Sequence, residues 1–207
     1  MRGCRALTAA EFQQILRCSA LLFPRPVAAR NNTLWTVMAH TGLRIGEART
    51  LRLQDVDRAG RVMAHLLLPR RRTKTKHASR MIPLHSDARV ALENWISTAA
   101  LFGLPGGWLF PASRGPCCKT PQWFDRPISD RGARKCLDRV VAVAGISGRV
   151  STHSFRKTFA ANIYRELEHD LFATQAALGH ENIGSTIRYL QVNQERIAAG
   201  ILRLTFQ

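Results

Sequence analysis

Thr41-Gly42-Leu43-Arg44-Ile45-Gly46-Glu47 is the stretch on which the reading of this chain turns. A helical pattern runs from about Asn31 to near His40, so Gly42 falls where a helix ends and a left-handed residue is favoured. Arg44 is thereby delivered just past a helix C-terminus, and a further short helix from Ile45 to Leu51 places Glu47 and Leu51 on one face. Taken alone, this is an ordinary glycine C-cap followed by a solvated arginine. The rest of the chain has to say whether that arginine has a task.

Composition narrows the task. Lys and Arg outnumber Asp and Glu by 31 to 14 across 207 residues, a formal charge of +17, which points to a polyanionic partner. A hydrophobic content of 45% is enough for a packed core, and one domain is the simpler expectation. No long apolar span marks a membrane segment and the first ten residues do not resemble an export signal, so a cytoplasmic, nucleoid-associated protein is expected. The five cysteines form no C-x-x-C pair. The seven histidines are dispersed along the chain without ligand spacing, so neither a metal nor another cofactor is expected.

Local patterns give a mainly α chain with one small antiparallel β-sheet, an α+β class. Thr8 followed by Glu11 reads as a capping box opening a helix that ends near Phe23, before Pro24 and Pro26. Arg61–Leu68 and Ser79–Leu84 read as a hairpin whose tip, Pro69 to Ala78, is strongly basic. A helix is expected over Asp87–Phe102, and Pro111–Pro127 reads as an irregular surface excursion. Further helices are expected at about 130–144, 152–165, 170–178, 184–190 and 193–204.

Three more motifs lie along this frame: Arg72-Thr73-Lys74-Thr75-Lys76 on the hairpin tip, Thr152-His153-Ser154-Phe155-Arg156-Lys157, and the stretch Leu178-Gly179-His180 through Tyr189. Each is common in isolation. In this order and at these intervals they resemble the catalytic domain of the tyrosine recombinases, also called the phage integrase family. The resemblance runs from about Leu7 to Ile201. It implies the DNA breaking-rejoining fold of that family and a reaction that needs neither metal nor ATP.

Breaking a phosphodiester without a metal requires a nucleophile, positive charge to balance the pentavalent phosphorane, and an acid for the departing 5′ oxygen. Arg44 and Arg156 suit the second requirement, because guanidinium forks bond two non-bridging oxygens and keep their charge. The resemblance assigns the remaining parts. Tyr189, one of two tyrosines, is the implied nucleophile that forms a 3′-phosphotyrosyl bond. His153 assists proton transfer, His180 supports the scissile phosphate, and Lys74 protonates the leaving group, with Lys76 two residues on as the position most easily confused with it. Glu47 is placed to buttress Arg44. Arg70, Arg71, Arg72, Lys76 and Lys157 are expected to contact DNA.

The family resemblance further implies recombination between DNA sites, as in integration of mobile elements. It implies a homo-tetramer on double-stranded DNA, assembled through a C-terminal segment with an apolar stripe at Ile197, Ile201 and Leu204. Two features depart from the family pattern. The catalytic pattern begins almost at once, so no separate N-terminal core-binding domain is expected, and Lys157 follows Arg156 where many members have histidine. Rival readings are relaxation by a type IB topoisomerase, a DNA-binding regulator that no longer cuts, and a metal-dependent nuclease recruiting Asp55, Asp57, Glu166, Glu168 and Asp170.

Overall fold

The computed structural model describes residues 3–70, 79–114, 120–179 and 182–187. The chain divides into two compact units, residues 1–159 and 160–207.

In the first unit, α1 (Ala9–Leu22) starts at Thr8, whose hydroxyl accepts the Glu11 N–H while the Glu11 carboxylate accepts the Thr8 N–H at 2.9 Å. This is the reciprocal box expected from the sequence. The second helix is longer than expected: α2 covers Arg25–Thr41 rather than starting near Asn31. Pro24 is its N-cap and Pro26 lies in its first turn, where the missing N–H would have had no helical partner. Prolines that looked like breakers are therefore the start of the helix. Gly42 closes α2 in the left-handed region, φ 65°.

After α3 (Ile45–Ala48) and a single 3₁₀ turn (Leu53–Asp55), two short antiparallel pairs follow: β1 (Asp57–Arg58) with β2 (Arg61–Val62), and β3 (His65–Leu68) with β4 (Arg80–Pro83). In the second pair Leu66 faces Ile82 and Leu68 faces Arg80. The sequence joined Arg61–Leu68 into one strand, but the structure divides it between the two pairs. The tip of the β3–β4 hairpin, residues 71–78, lies outside the described residues. α4 (Ser86–Leu101) follows, within a residue of expectation.

The segment expected to be irregular is a third pair: β5 (Pro111–Arg114) and β6 (Gln122–Pro127) run antiparallel with an irregularity between Pro111 and Ala112. Arg30 of α2 explains why it is ordered. Its buried guanidinium donates to the Pro111 carbonyl at 2.9 Å and the Ser113 hydroxyl at 3.0 Å, and it lies 5.2 Å from the centre of the Trp123 ring. α5 (Asp130–Val143) starts at Ser129, whose hydroxyl accepts the Gly132 N–H. α6 (Thr152–Glu166) begins in this unit.

The core packs α2 against α4 and closes around Trp35, Met38, Leu43, Leu51, Trp95, Phe110 and Phe155, all fully buried or nearly so. Phe155 stacks on Trp35 with centroids 5.9 Å apart and meets Phe12 edge-on at 6.1 Å. These contacts fix the first turn of α6, because Phe155 lies between His153 and Arg156.

In the second unit the end of α6 is followed by α7 (Leu171–Leu178) and α8 (Ile183–Ile187). Asp170 caps α7 by accepting the N–H groups of Phe172 and Ala173, and Gly179, φ 62°, ends it. The expected helix at 193–204 lies outside the described residues. The three two-stranded sheets are minor beside the helices, so the α+β class read from the sequence describes the fold. Among the described residues no helix is long and apolar enough to cross a membrane.

Candidate active site

Arg44 is the N-cap of α3, with extended backbone at φ −70° and ψ 151°. Glu47 grips it twice: one carboxylate oxygen accepts the Arg44 backbone N–H at 2.8 Å and the other lies 3.2 Å from Nη1. Glu47 is 4% exposed, so its carboxylate is directed by the fold, and the Arg44 side chain is part-exposed. One acidic residue thus sets both the backbone and the guanidinium of Arg44, leaving the other guanidinium N–H groups for a further acceptor.

Arg156 reaches the same loop from α6. Its Nη1 donates to the carbonyl of Gly42, 114 positions earlier, and the residue is fully buried. A buried guanidinium needs acceptors, and the left-handed turn at Gly42 aims a carbonyl at it. Gly42 also has no room for a side chain, since a Cβ there would run into the ring of Phe159. The helix end quoted from the sequence is therefore more than a cap: it is the surface on which Arg156 is docked.

His153 is surface-accessible in the first turn of α6, one turn before Arg156. Partial desolvation is the largest influence on its imidazole, followed by the positive charges of Arg156, Arg134 and Arg44, with Asp130 opposing weakly. Together they hold it below the ordinary histidine range. The ring is therefore biased to the neutral form at neutral pH, able to accept a proton.

Two further arginines, neither picked out from the sequence as site residues, belong to this neighbourhood. Arg80 of β4 is held below the usual arginine range by burial, with Glu47 pulling it up and Arg44 pushing it down. Arg134 lies in α5, whose first residue, Asp130, binds Arg49 at 2.6 Å. Only charge sign and composition hinted at these positions, because no local motif surrounds them.

The other expected residues divide as follows. Arg70 is described and exposed, its backbone N–H donating to Ser79 at 3.1 Å. Lys157 turns inward, where its ammonium donates to the Cys4 carbonyl at 2.6 Å and so ties α6 to the N-terminal segment. Lys74, Arg71, Arg72, Lys76, His180 and Tyr189 lie outside the described residues. Of the carboxylates that a metal nuclease would recruit, Asp55 accepts the Arg52 N–H and Asp170 caps α7, so both already serve the backbone.

Comparison with known proteins covers most of the chain. Residues 5–196 match the model of the phage integrase family. The tyrosine recombinase XerC of Halalkalibacterium halodurans is 32% identical over 196 residues, covering 90% of this chain and 57% of that protein. XerC of Bacillus subtilis is 29% identical over 178 residues, 84% of this chain and 53% of its own. The chain thus spans about half the length of the curated relatives it matches.

Among solved structures, the XerH site-specific recombinase in a post-cleavage complex with palindromic difH substrate superposes with a TM-score of 0.71 at 22% identity, over 96% of this chain and 52% of XerH. The catalytic domain of bacteriophage HP1 integrase gives 0.56 at 17% identity, over 97% of this chain and 95% of that domain. Sequence match and backbone agree, and the helix ends that hold Arg44 and Arg156 fall within the matched region: the chain belongs to the phage integrase family and has the fold of its catalytic domain.

Proposed function

We propose that this chain is the catalytic part of a site-specific DNA recombinase, which cleaves and rejoins double-stranded DNA through a 3′-phosphotyrosyl intermediate. The observation that carries the reading is the shared anchorage of two arginines: Arg156 bonds the Gly42 carbonyl, two residues before Arg44, while Glu47 steers Arg44. One permanent cation on the loop and a second docked on that loop from α6 suit the non-bridging oxygens of a phosphate that gains negative charge during attack.

In this reading Tyr189 attacks phosphorus, its O–P bond forms as the bond to the 5′ oxygen breaks, and the 5′ oxygen leaves with a proton supplied by Lys74. His153, biased toward the neutral form by partial burial and then by its cationic surroundings, takes the phenolic proton, and His180 donates a hydrogen bond to the phosphate. A 5′ hydroxyl from a second strand reverses the step on a new partner, so the bond is conserved without ATP. Arg70, Arg71, Arg72 and Lys76 contact backbone phosphates beside the scissile one. Two duplexes are exchanged by a homo-tetramer on DNA held by the C-terminal segment. Support for DNA as the partner comes from the +17 charge and from the DNA complexes of the structural relatives XerH and Tn1549 integrase.

The test is incubation with a labelled, nicked duplex carrying a candidate target site, in the presence of chelator, followed by a denaturing gel. A covalent protein–DNA adduct is expected, absent in Tyr189→Phe and strongly reduced in Arg44→Ala. An adduct that persists in Tyr189→Phe would overturn the assignment.

A further inference from the structure

We propose that His40, His85 and Asp87 form a binding site for a divalent transition-metal ion of the zinc class, separate from the DNA-cleaving centre. His40 is in the last turn of α2, His85 is the N-cap of α4, and Asp87 is in the first turn of α4. One donor atom from each lies within 4.8 Å of the other two. Spacing along the sequence hides this cluster, because two helices packed side by side bring its members together.

The geometry favours an ion over a chance meeting of polar groups. His40 Nδ1 is 2.9 Å from the Thr36 carbonyl, which can only accept, so the proton resides on Nδ1 and Nε2 presents its lone pair. A backbone carbonyl behind the far ring nitrogen is the usual support for a metal-binding histidine. Phe12 packs edge-on to the same ring, with centroids 6.5 Å apart, and further fixes its direction. The His40 and His85 rings lie 4.9 Å apart and nearly parallel, and both face one carboxylate oxygen: Asp87 Oδ2 is 3.7 Å from His40 Nε2 and 3.8 Å from His85 Nδ1.

Donors at the corners of a tetrahedral zinc site stand about 3.3 Å apart. The two separations to Asp87 therefore need to close by about half an ångström, and the His40 and His85 nitrogens, within 4.8 Å of each other, by up to about 1.5 Å, with the His85 ring turning out of its stack on His40. His85 and Asp87 have side chains 56% and 67% exposed, free to rotate toward the better-held His40. Three protein donors leave one position for water, the pattern of an open site. His85 Nδ1 also accepts the Asp87 N–H at 3.2 Å, so loading on that nitrogen exchanges a helix-cap hydrogen bond for a metal bond. The affinity is accordingly modest, and the bound ion ties the end of α2, from which Gly42 and Arg44 continue, to the start of α4.

The whole chain, stripped with chelator, is titrated with Co²⁺ while visible absorption is followed, and zinc is then added as a competitor. One equivalent is expected to bind and to be displaced by zinc, with a rise in melting temperature that chelator reverses. His40→Gln, and His85→Asn, which keeps an acceptor for the α4 cap, are expected to weaken binding by about tenfold or more while folding normally. Asp87→Asn serves as a third variant should one of these fail to fold. Cys117 and Cys118 are adjacent thiols that could themselves take Co²⁺, and Cys117→Ser with Cys118→Ser is expected to bind as the parent does. The proposal is overturned if the parent binds no Co²⁺, if the histidine variants bind undiminished, or if the cysteine variant alone abolishes binding.

Discussion

At the scale of single residues, Gly42 meets two demands that no other side chain satisfies together. Its φ of 65° is costly for a residue with a Cβ, and its Cα faces the Phe159 ring. Gly42→Ala is expected to lose about 2–4 kcal/mol in urea unfolding, the sum of backbone strain and overpacking. Gly60→Ala, at φ 77° with open space around it, should lose only about 1 kcal/mol. Equal losses in the two variants would mean that the Phe159 contact is unimportant. For His153, proton NMR titration of the free protein should give a midpoint below the ordinary value of about 6.5, and Arg134→Ala should move it upward. Because the folded value is the lower one, this group favours folding at higher pH. Its contribution is lost as pH falls from the unfolded value through the folded one. A midpoint above the ordinary value would contradict the partial burial and the cationic surroundings described here. Arg44, His153 and Arg156 could be picked out as candidates in the sequence because each sits in a short motif at a helix end. Arg80 and Arg134 were not, since they approach only through folding, and Lys157 could not be seen to turn toward Cys4.

At the scale of elements, the start of α1 is held by more than its capping box. Arg5 binds Glu11 at 2.5 and 2.8 Å and also donates to the Ser147 carbonyl, so the N-terminal segment links α1 to the turn between α5 and α6. The Arg5 guanidinium is the main reason the Glu11 carboxyl is lowered to about 2, despite opposing desolvation. With its folded value depressed, Glu11 stabilises fully above the unfolded carboxylate value of about 4.3. That stabilisation disappears as pH falls toward about 2. Glu11→Ala is expected to lose about 1–2 kcal/mol at neutral pH, the pair being partly exposed and so screened, and to flatten the acid limb of the stability profile. An unchanged urea midpoint would show that this clasp is ornamental. The capping box was readable because its contacts are local. The β5–β6 pair was not, because Arg30 orders it from a helix 81 positions away from Pro111.

At the scale of the whole molecule, the excess of cations is what the proposed function would use to meet DNA before any chemistry begins. Association measured by anisotropy on a labelled duplex should weaken linearly on a log–log plot between about 50 and 200 mM salt, as counterions are released. Arg44→Ala should reduce the slope by about one if that guanidinium neutralises a phosphate. A salt-independent affinity would remove the electrostatic basis of the proposed function. The charge was visible in composition alone, and the order of motifs identified the family. How two arginines share one loop required the fold. Trp35, 1% exposed and stacked flat on Phe155, has one more use. It is an indole built into the seat of the helix that presents His153 and Arg156, so any loosening of that turn would open it to water and shift its emission to longer wavelength. With Trp95, Trp108 and Trp123 replaced by phenylalanine, the remaining indole becomes an optical probe of that helix, readable without a label.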